Sequence, residues 1–96
     1  MDEITVAELA ARTDTPLIDV REEAEFAAGR VPGAINVPLS QLGDRLEELP
    51  PEFDVICKIG GRSAQVQAAL EPRGYAVTNV MGGTDAWIEA GYEVEK

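Results

Sequence analysis

Near the middle of the chain the sequence reads Val55-Ile56-Cys57-Lys58-Ile59-Gly60-Gly61-Arg62-Ser63. The run 54–57 predicts a buried strand, the paired glycines predict a tight turn, and residues 62 to about 70 predict a helix. In an open α/β sheet, ligands bind at the carboxyl ends of the strands. The stretch therefore predicts that Cys57 lies at the ligand-binding edge of a sheet.

Predicted strands and helices alternate on both sides of this stretch. Further strands are predicted over 17–20 and 76–80, with a brief one over 34–37. A first helix is predicted after Thr5, which forms a capping box with Glu8, and a second over 22–28. A third is predicted from Ser40, with Leu42, Leu46 and Leu49 on one side. A last helix is predicted over 85–90, with Thr84 as its cap. The alternation predicts an α/β domain with a mainly parallel sheet and helices on both faces.

Length and charge narrow the class of protein. The 96 residues are enough for one domain, and 18 acidic against 8 basic residues give a net charge of −10. Such a balance argues against nucleic acid and against an anionic membrane as partners, because both are bound through Lys and Arg. The first eleven residues lack an apolar signal core, and no stretch approaches a membrane span. We expect a single cytoplasmic domain.

The chain has one cysteine and no histidine. A lone cysteine forms no internal disulfide and no Cys-rich zinc site. The lack of histidine excludes Cys–His and Ser–His catalysis and removes the commonest metal ligand. We therefore expect neither a metal nor a cofactor, and Cys57 becomes the candidate nucleophile.

The turn after Cys57 is suited to hold a negative charge. Backbone N–H groups of a tight turn can converge on one point, and the following helix adds further unpaired N–H groups. Lys58 and Arg62 contribute full positive charges, so the pKa of the thiol is expected to fall. Ile59 either forms an apolar lip or packs inward. The alternative is an inert cysteine in the core, since free cysteine is among the most buried residue types.

The chain resembles the rhodanese-like family along nearly its whole length. The resemblance is carried by three stretches, 17–22, 26–38 and 57–63, and by a carboxyl-terminal pattern of Gly74-Tyr75, Asn79-Val80, Gly82-Gly83, Trp87 and Gly91-Tyr92. It implies a three-layer α/β/α fold around a mainly parallel sheet of about five strands. One position departs from the family pattern, because Arg30 stands where histidine is usual, which affects only a possible role in fixing the loop or the pocket rim.

The resemblance also implies an activity, the transfer of sulfane sulfur through a persulfide on Cys57. An anionic donor such as thiosulfate would supply the sulfur, and cyanide, a thiol or a protein would accept it. The residues implied in substrate binding are those of the loop: Lys58, Ile59, Gly60, Gly61, Arg62 and Ser63. Related phosphatases and arsenate reductases have a loop one residue longer, which favours sulfur over phosphate here. A non-catalytic binding module is the alternative function.

Two further groups of charged residues have a structural alternative. Asp19 and Arg21 either orient the wall of the site, where Asp19 could support Arg62, or form a structural ion pair. Glu22, Glu23 and Glu25 are interpreted as the solvated face of a helix.

Overall fold

The structure is a computed structural model that describes residues 2–12 and 14–96, so Met1 and Thr13 lie outside the described residues. Within them, one sheet contains five strands, all parallel, in the order β1-β5-β4-β2-β3. The strands are β1 (Asp2–Ile4), β2 (Leu17–Asp19), β3 (Ile35–Asn36), β4 (Glu52–Ile56) and β5 (Ala76–Val80). β4 is the middle strand, so the residues that follow it leave the sheet at the centre of one edge.

Helices connect the strands and complete the predicted α/β fold. The described part of the chain forms α1 (Val6–Ala11), α2 (Glu23–Ala28), α3 (Gly61–Leu70), α4 (Gly83–Glu89) and three 3-10 turns, Leu39–Asp44, Leu46–Glu48 and Glu71–Arg73. None of these helices is long and apolar enough to cross a bilayer. The predicted fold class, a mainly parallel sheet of about five strands with packed helices, is confirmed.

β4 and the residue that follows it divide their side chains between two hydrophobic cores. Val55 and Cys57 lie in one core with Val66 of α3, whereas Ile56 lies in the other with Trp87 of α4. This alternation is the two-residue period of a strand whose faces are both buried. Burying each large apolar side chain stabilises the fold by about 1.5–3 kcal/mol. The backbone at the end of β4 is therefore held from both faces, which fixes where the next loop begins.

Two helix predictions were wrong in detail. The predicted helix from Ser40 is a pair of 3-10 turns that begin after Pro38, and the Ser40 hydroxyl donates a hydrogen bond to Glu22 rather than capping them. The leucines still pack as predicted, with Leu42 and Leu49 buried. The last helix begins at Gly83 and not behind a Thr84 cap. The Thr84 side chain instead donates a hydrogen bond to the carbonyl of Cys57.

The amino-terminal region confirms one prediction and adds one element. Thr5 and Glu8 form the predicted capping box, in which each side chain accepts a hydrogen bond from the other residue's amide. The three-residue strand β1 precedes that cap and pairs with β5 at the edge of the sheet. The pattern of apolar residues did not predict β1, because Ile4 is its single buried residue.

Candidate active site

Cys57 follows β4 directly, and its sulfur lies inside the loop that leads to α3. The residue is 1% exposed, so the sulfur has almost no contact with solvent. The amide of Gly60 donates a hydrogen bond to Sγ at 3.0 Å. Gly60 adopts a φ of +109°, a left-handed conformation that favours glycine and that turns the chain back over the sulfur. The main chain thus encloses one sulfur atom at the end of the central strand.

Two opposing effects set the acidity of the Cys57 thiol. Burial raises its pKa, because the charged thiolate loses contact with water. Hydrogen bonds from the hydroxyl and the amide of Ser63, and from the amides of Gly60 and Ile59, stabilise the thiolate and lower the pKa. The hydrogen bonds outweigh burial, so the pKa lies below the ordinary value for cysteine. The alternative of an inert core cysteine predicted that Cys57 is buried, and it is. The groups around its sulfur, however, include hydrogen-bond donors that stabilise a thiolate.

Ser63 contacts the sulfur from the first turn of α3. Its hydroxyl oxygen lies 3.3 Å from Sγ of Cys57 and donates to the carbonyl of Gly60 at 3.1 Å. The Ser63 side chain is completely buried, so water does not compete for these contacts. A hydroxyl in this position serves either protonation state of the sulfur, because it is both donor and acceptor.

The loop begins against the first turn of α4, a contact that the sequence pattern did not predict. The carbonyl of Cys57 accepts hydrogen bonds from the amide of Thr84 at 2.8 Å and from its hydroxyl at 3.0 Å. A Cβ at Gly83 would lie 2.5 Å from the carbonyl oxygen of Cys57 and 2.6 Å from that of Lys58. The paired glycines at 82–83 were interpreted as a turn. A glycine also allows two backbone segments to approach each other closely, and this was the signal in the sequence that could have predicted the contact.

Both predicted loop cations carry a carboxylate partner. Lys58 donates to Asp85 at 2.7 Å across an exposed surface. Arg62 donates from both terminal nitrogens to Glu25, at 2.7 and 2.9 Å. These hydrogen bonds lower the pKa of Glu25 from 4.5 to about 2. The interpretation of Glu25 as part of a solvated face is therefore wrong, since it faces the active-site loop.

Asp19 and Arg21 form the structural ion pair that was one of their two interpretations. Arg21 is 5% exposed, Asp19 is fully buried, and the guanidinium donates to the carboxylate at 2.8 Å. Arg21 also donates to the carbonyl of Glu25 within α2 and to that of Gly29, which follows the helix. Asp19 makes its direct pair with Arg21. The pKa of Arg62 is raised first by its hydrogen bonds to Glu25, and the charge of Asp19 is one of the further causes. The pair holds α2, and α2 carries the Glu25 that binds Arg62.

Two other positions are settled by their surroundings. Ile59 is 67% exposed, so it forms an apolar lip beside the loop mouth and does not pack inward. Arg30 pairs with Glu95 through two backbone hydrogen bonds of 2.9 Å, and its guanidinium lies 4.7 Å from the centre of the Phe26 ring. Arg30 therefore fastens the carboxyl-terminal residues to α2 rather than reaching the sulfur.

The loop residues predicted for substrate binding surround Cys57, and their role remains a prediction. Ile59, Gly60 and Ser63 direct donors at the sulfur, whereas Lys58 and Arg62 stand at the periphery in ion pairs. Within residues 2–12 and 14–96, no group of three or more Cys, Asp or Glu side chains is arranged to hold a metal ion. The arrangement suits a nucleophilic sulfur that works without an adjacent base.

Comparison with known proteins identifies the family. The model of the Rhodanese-like domain matches residues 5–90. A protein named Sulfurtransferase from Allochromatium vinosum is 38% identical, over 90% of this chain and 83% of its own length. The human Thiosulfate:glutathione sulfurtransferase is 31% identical, over 76% of this chain and 78% of its own. The crystal structure of a rhodanese-related protein from Thermoplasma volcanium superposes with a TM-score of 0.94 at 34% identity, over 99% of this chain and 98% of that one. The chain belongs to the rhodanese-like domain family, whose members similar to it include sulfurtransferases.

Proposed function

We propose that this protein moves sulfane sulfur from thiosulfate to a thiol through a persulfide on Cys57. One observation carries the proposal: the sulfur of Cys57 accepts the Gly60 amide at 3.0 Å, inside a loop at the carboxyl end of the central strand. The family supplies the class of reaction, and the name of the human relative, with its thiosulfate and glutathione, suggests the donor and the acceptor.

In the first step the thiolate of Cys57 attacks the outer sulfur of thiosulfate. A bond forms between Sγ and that outer sulfur, the bond from the outer sulfur to the sulfonate breaks, and sulfite leaves with the electron pair. The protein then holds a persulfide with one negative charge on its terminal sulfur. The lowered pKa of Cys57 favours the step, because the thiolate and not the thiol is the nucleophile.

In the second step a thiolate acceptor attacks the terminal sulfur of the persulfide. The new bond joins the acceptor sulfur to the transferred atom, the bond to Sγ breaks, and Cys57 returns as the thiolate. Cyanide takes the same role in an assay and leaves as thiocyanate. The charges balance in both steps, so no base has to remove a proton, which agrees with a site that lacks histidine.

The protein acts on an anionic sulfur donor in opposite ways at long and at short range. The chain carries a net charge of −10, which repels an anionic donor at long range. At short range the donor meets amide groups around the sulfur and the guanidinium of Arg62. Arg62 gives two of its five N–H groups to Glu25, at 2.7 and 2.9 Å, so further donors remain to guide a sulfonate oxygen.

Turnover of thiosulfate with cyanide tests the proposal. Wild-type protein is expected to form thiocyanate, and Cys57→Ser, which exchanges one atom of the side chain, is expected to form none. Ser40→Ala is a matched control, because it removes a hydroxyl bound to Glu22 at the surface. Equal turnover by wild type and Cys57→Ser contradicts the proposal. A protein that folds but gives no product with any sulfur donor would instead be the binding module considered above.

A further inference from the structure

The first turn of α4 holds the two carbonyl groups with which the sulfur loop begins. The carbonyl of Cys57 accepts from Thr84 twice, from the amide at 2.8 Å and from the hydroxyl at 3.0 Å. The carbonyl of Lys58 accepts from the amide of Asp85 at 3.0 Å. Three hydrogen bonds therefore fix the direction of two consecutive peptide groups.

The direction of those carbonyls decides where the next amides point. In a trans peptide the C=O and N–H bonds point in opposite directions. Because the Lys58 carbonyl faces α4, the amide that shares its peptide group, that of Ile59, faces away from α4. The Ile59 amide is one of the groups that lower the pKa of the Cys57 thiol, and it precedes the Gly60 amide, which donates to the sulfur at 3.0 Å. The contact between the Lys58 carbonyl and α4 thus determines the direction of the Ile59 amide, which lies on the other side of the same peptide group.

The packing leaves little freedom in this contact. Gly83 has a φ of +58°, and a Cβ there would lie 2.5 Å from the Cys57 carbonyl oxygen, so backbone meets backbone. Thr84 is 1% exposed, which keeps water from replacing its hydroxyl as a donor. Without the hydroxyl, the Cys57 carbonyl keeps the Thr84 amide as its donor and loses one of the two hydrogen bonds that fix its direction.

We propose that Thr84 is a positioning residue for Cys57. The Thr84 hydroxyl holds the Cys57 carbonyl, with which the loop begins, so that the loop amides stay directed at the sulfur. Thr84 acts through the Cys57 carbonyl, which accepts hydrogen bonds from its amide and its hydroxyl. The inference rests on the proposed function only for its effect on sulfur transfer. Its effect on the thiol itself is independent of which donor the protein uses.

Two substitutions at the same position isolate the hydroxyl. Thr84→Ser and Thr84→Ala both remove the methyl group, and only Thr84→Ser keeps the hydrogen-bond donor. The readout is the pH dependence of Cys57 alkylation by iodoacetamide, measured on the full chain. We expect the midpoint for Thr84→Ser to stay near that of wild type. For Thr84→Ala we expect the midpoint to rise by about half a unit or more, and sulfur uptake from thiosulfate to slow roughly threefold to tenfold.

Controls separate positioning from folding. Thr78→Ala removes another threonine hydroxyl, on β5, and is expected to leave the alkylation midpoint unchanged. If Thr84→Ala does not fold, Thr84→Val, which replaces the hydroxyl by a methyl group at nearly constant volume, is compared with wild type instead. Equal midpoints for the variants with and without the hydroxyl overturn the inference, even if the one without it melts at a lower temperature.

The same data distinguish failure of this inference from failure of the proposed function. If wild-type protein takes no sulfur from thiosulfate while loss of the Thr84 hydroxyl still raises the midpoint, the positioning role stands and the proposed reaction fails. If sulfur loads normally and the midpoints are equal, the reaction stands and the positioning role fails.

Discussion

The hydroxyl oxygen of Ser63 lies 3.3 Å from the sulfur of Cys57 and 3.1 Å from the carbonyl oxygen of Gly60. A hydroxyl has one proton to donate. When the thiol is protonated, it donates to the Ser63 oxygen and the Ser63 proton goes to Gly60. When the sulfur is a thiolate, the Ser63 proton turns to the sulfur. Ser63 therefore changes its hydrogen-bond partner with the charge of Cys57.

Ser63→Ala is expected to raise the pKa of Cys57. The variant removes a hydrogen bond to a charged atom, which is worth about 1.5–3 kcal/mol and corresponds to at least about one pKa unit. The pH midpoint of iodoacetamide alkylation measures the change. Ser40→Ala serves as the control, and a Ser63→Ala midpoint equal to that of wild type would show that the amides alone set the acidity.

Arg62 and Glu25 are expected to act in opposite directions on an anionic donor. Arg62→Ala should slow sulfur uptake from thiosulfate about tenfold, the worth of a hydrogen bond to a charged group, and slow uptake from a neutral trisulfide much less. Glu25→Gln should speed uptake from thiosulfate by about twofold to threefold, because the variant removes a negative charge next to Arg62. Stopped-flow rates with the two donors make the comparison. Equal losses with both donors in Arg62→Ala would mean that Arg62 is structural.

The ion pair of Glu25 with Arg62 is expected to make stability depend on pH in acid. The folded-state pKa of Glu25, about 2, lies below its ordinary 4.5, so its contribution to stability is complete above about 4.5 and disappears as the pH falls through about 2. Urea unfolding of wild type and Glu25→Gln should therefore differ near neutral pH and converge toward pH 2. Glu23→Gln, on the same helix, is the control. A difference that does not narrow in acid contradicts this account of the pair.

Gly83→Ala is expected to destabilise the protein and to disturb the sulfur loop. The added Cβ would meet the carbonyl oxygens of Cys57 and Lys58 at 2.5 and 2.6 Å, and φ is +58° at this position. Strain of this kind costs about 1–3 kcal/mol. Gly43→Ala is the matched control, since a Cβ there meets nothing within 4 Å. Urea unfolding gives the free energies, and equal stabilities of the two variants would contradict the close approach.

The sheet and the loop were predictable because their signals are local. A run of apolar residues that ends at Cys57, followed by two glycines, predicts a strand, a turn and a helix without knowledge of the rest of the chain. The 3-10 turns after Pro38 were not predicted, because the leucines of 42–49 suit a helical face whether the backbone is α-helical or 3-10. β1 was missed because an edge strand of three residues buries one side chain, Ile4.

The partners of the charged residues depended on tertiary structure. Arg62 lies 37 residues from Glu25 in sequence, and Lys58 lies 27 residues from Asp85. No spacing rule connects such pairs. The sequence therefore suggested that Lys58 and Arg62 are unpaired, whereas the fold pairs each of them with a carboxylate. The role of Thr84 was hidden in the same way, because a threonine at the start of a helix is typical of a cap.

The mass of the intact protein after treatment with thiosulfate tests the central claim most directly. Wild-type protein is expected to gain the mass of one sulfur atom, located on the peptide that contains Cys57 and removed again by cyanide or a thiol. Cys57→Ser should gain nothing under the same conditions. Wild-type protein that reacts readily with iodoacetamide yet gains no sulfur from thiosulfate or from a neutral trisulfide would contradict the claim that Cys57 carries sulfur.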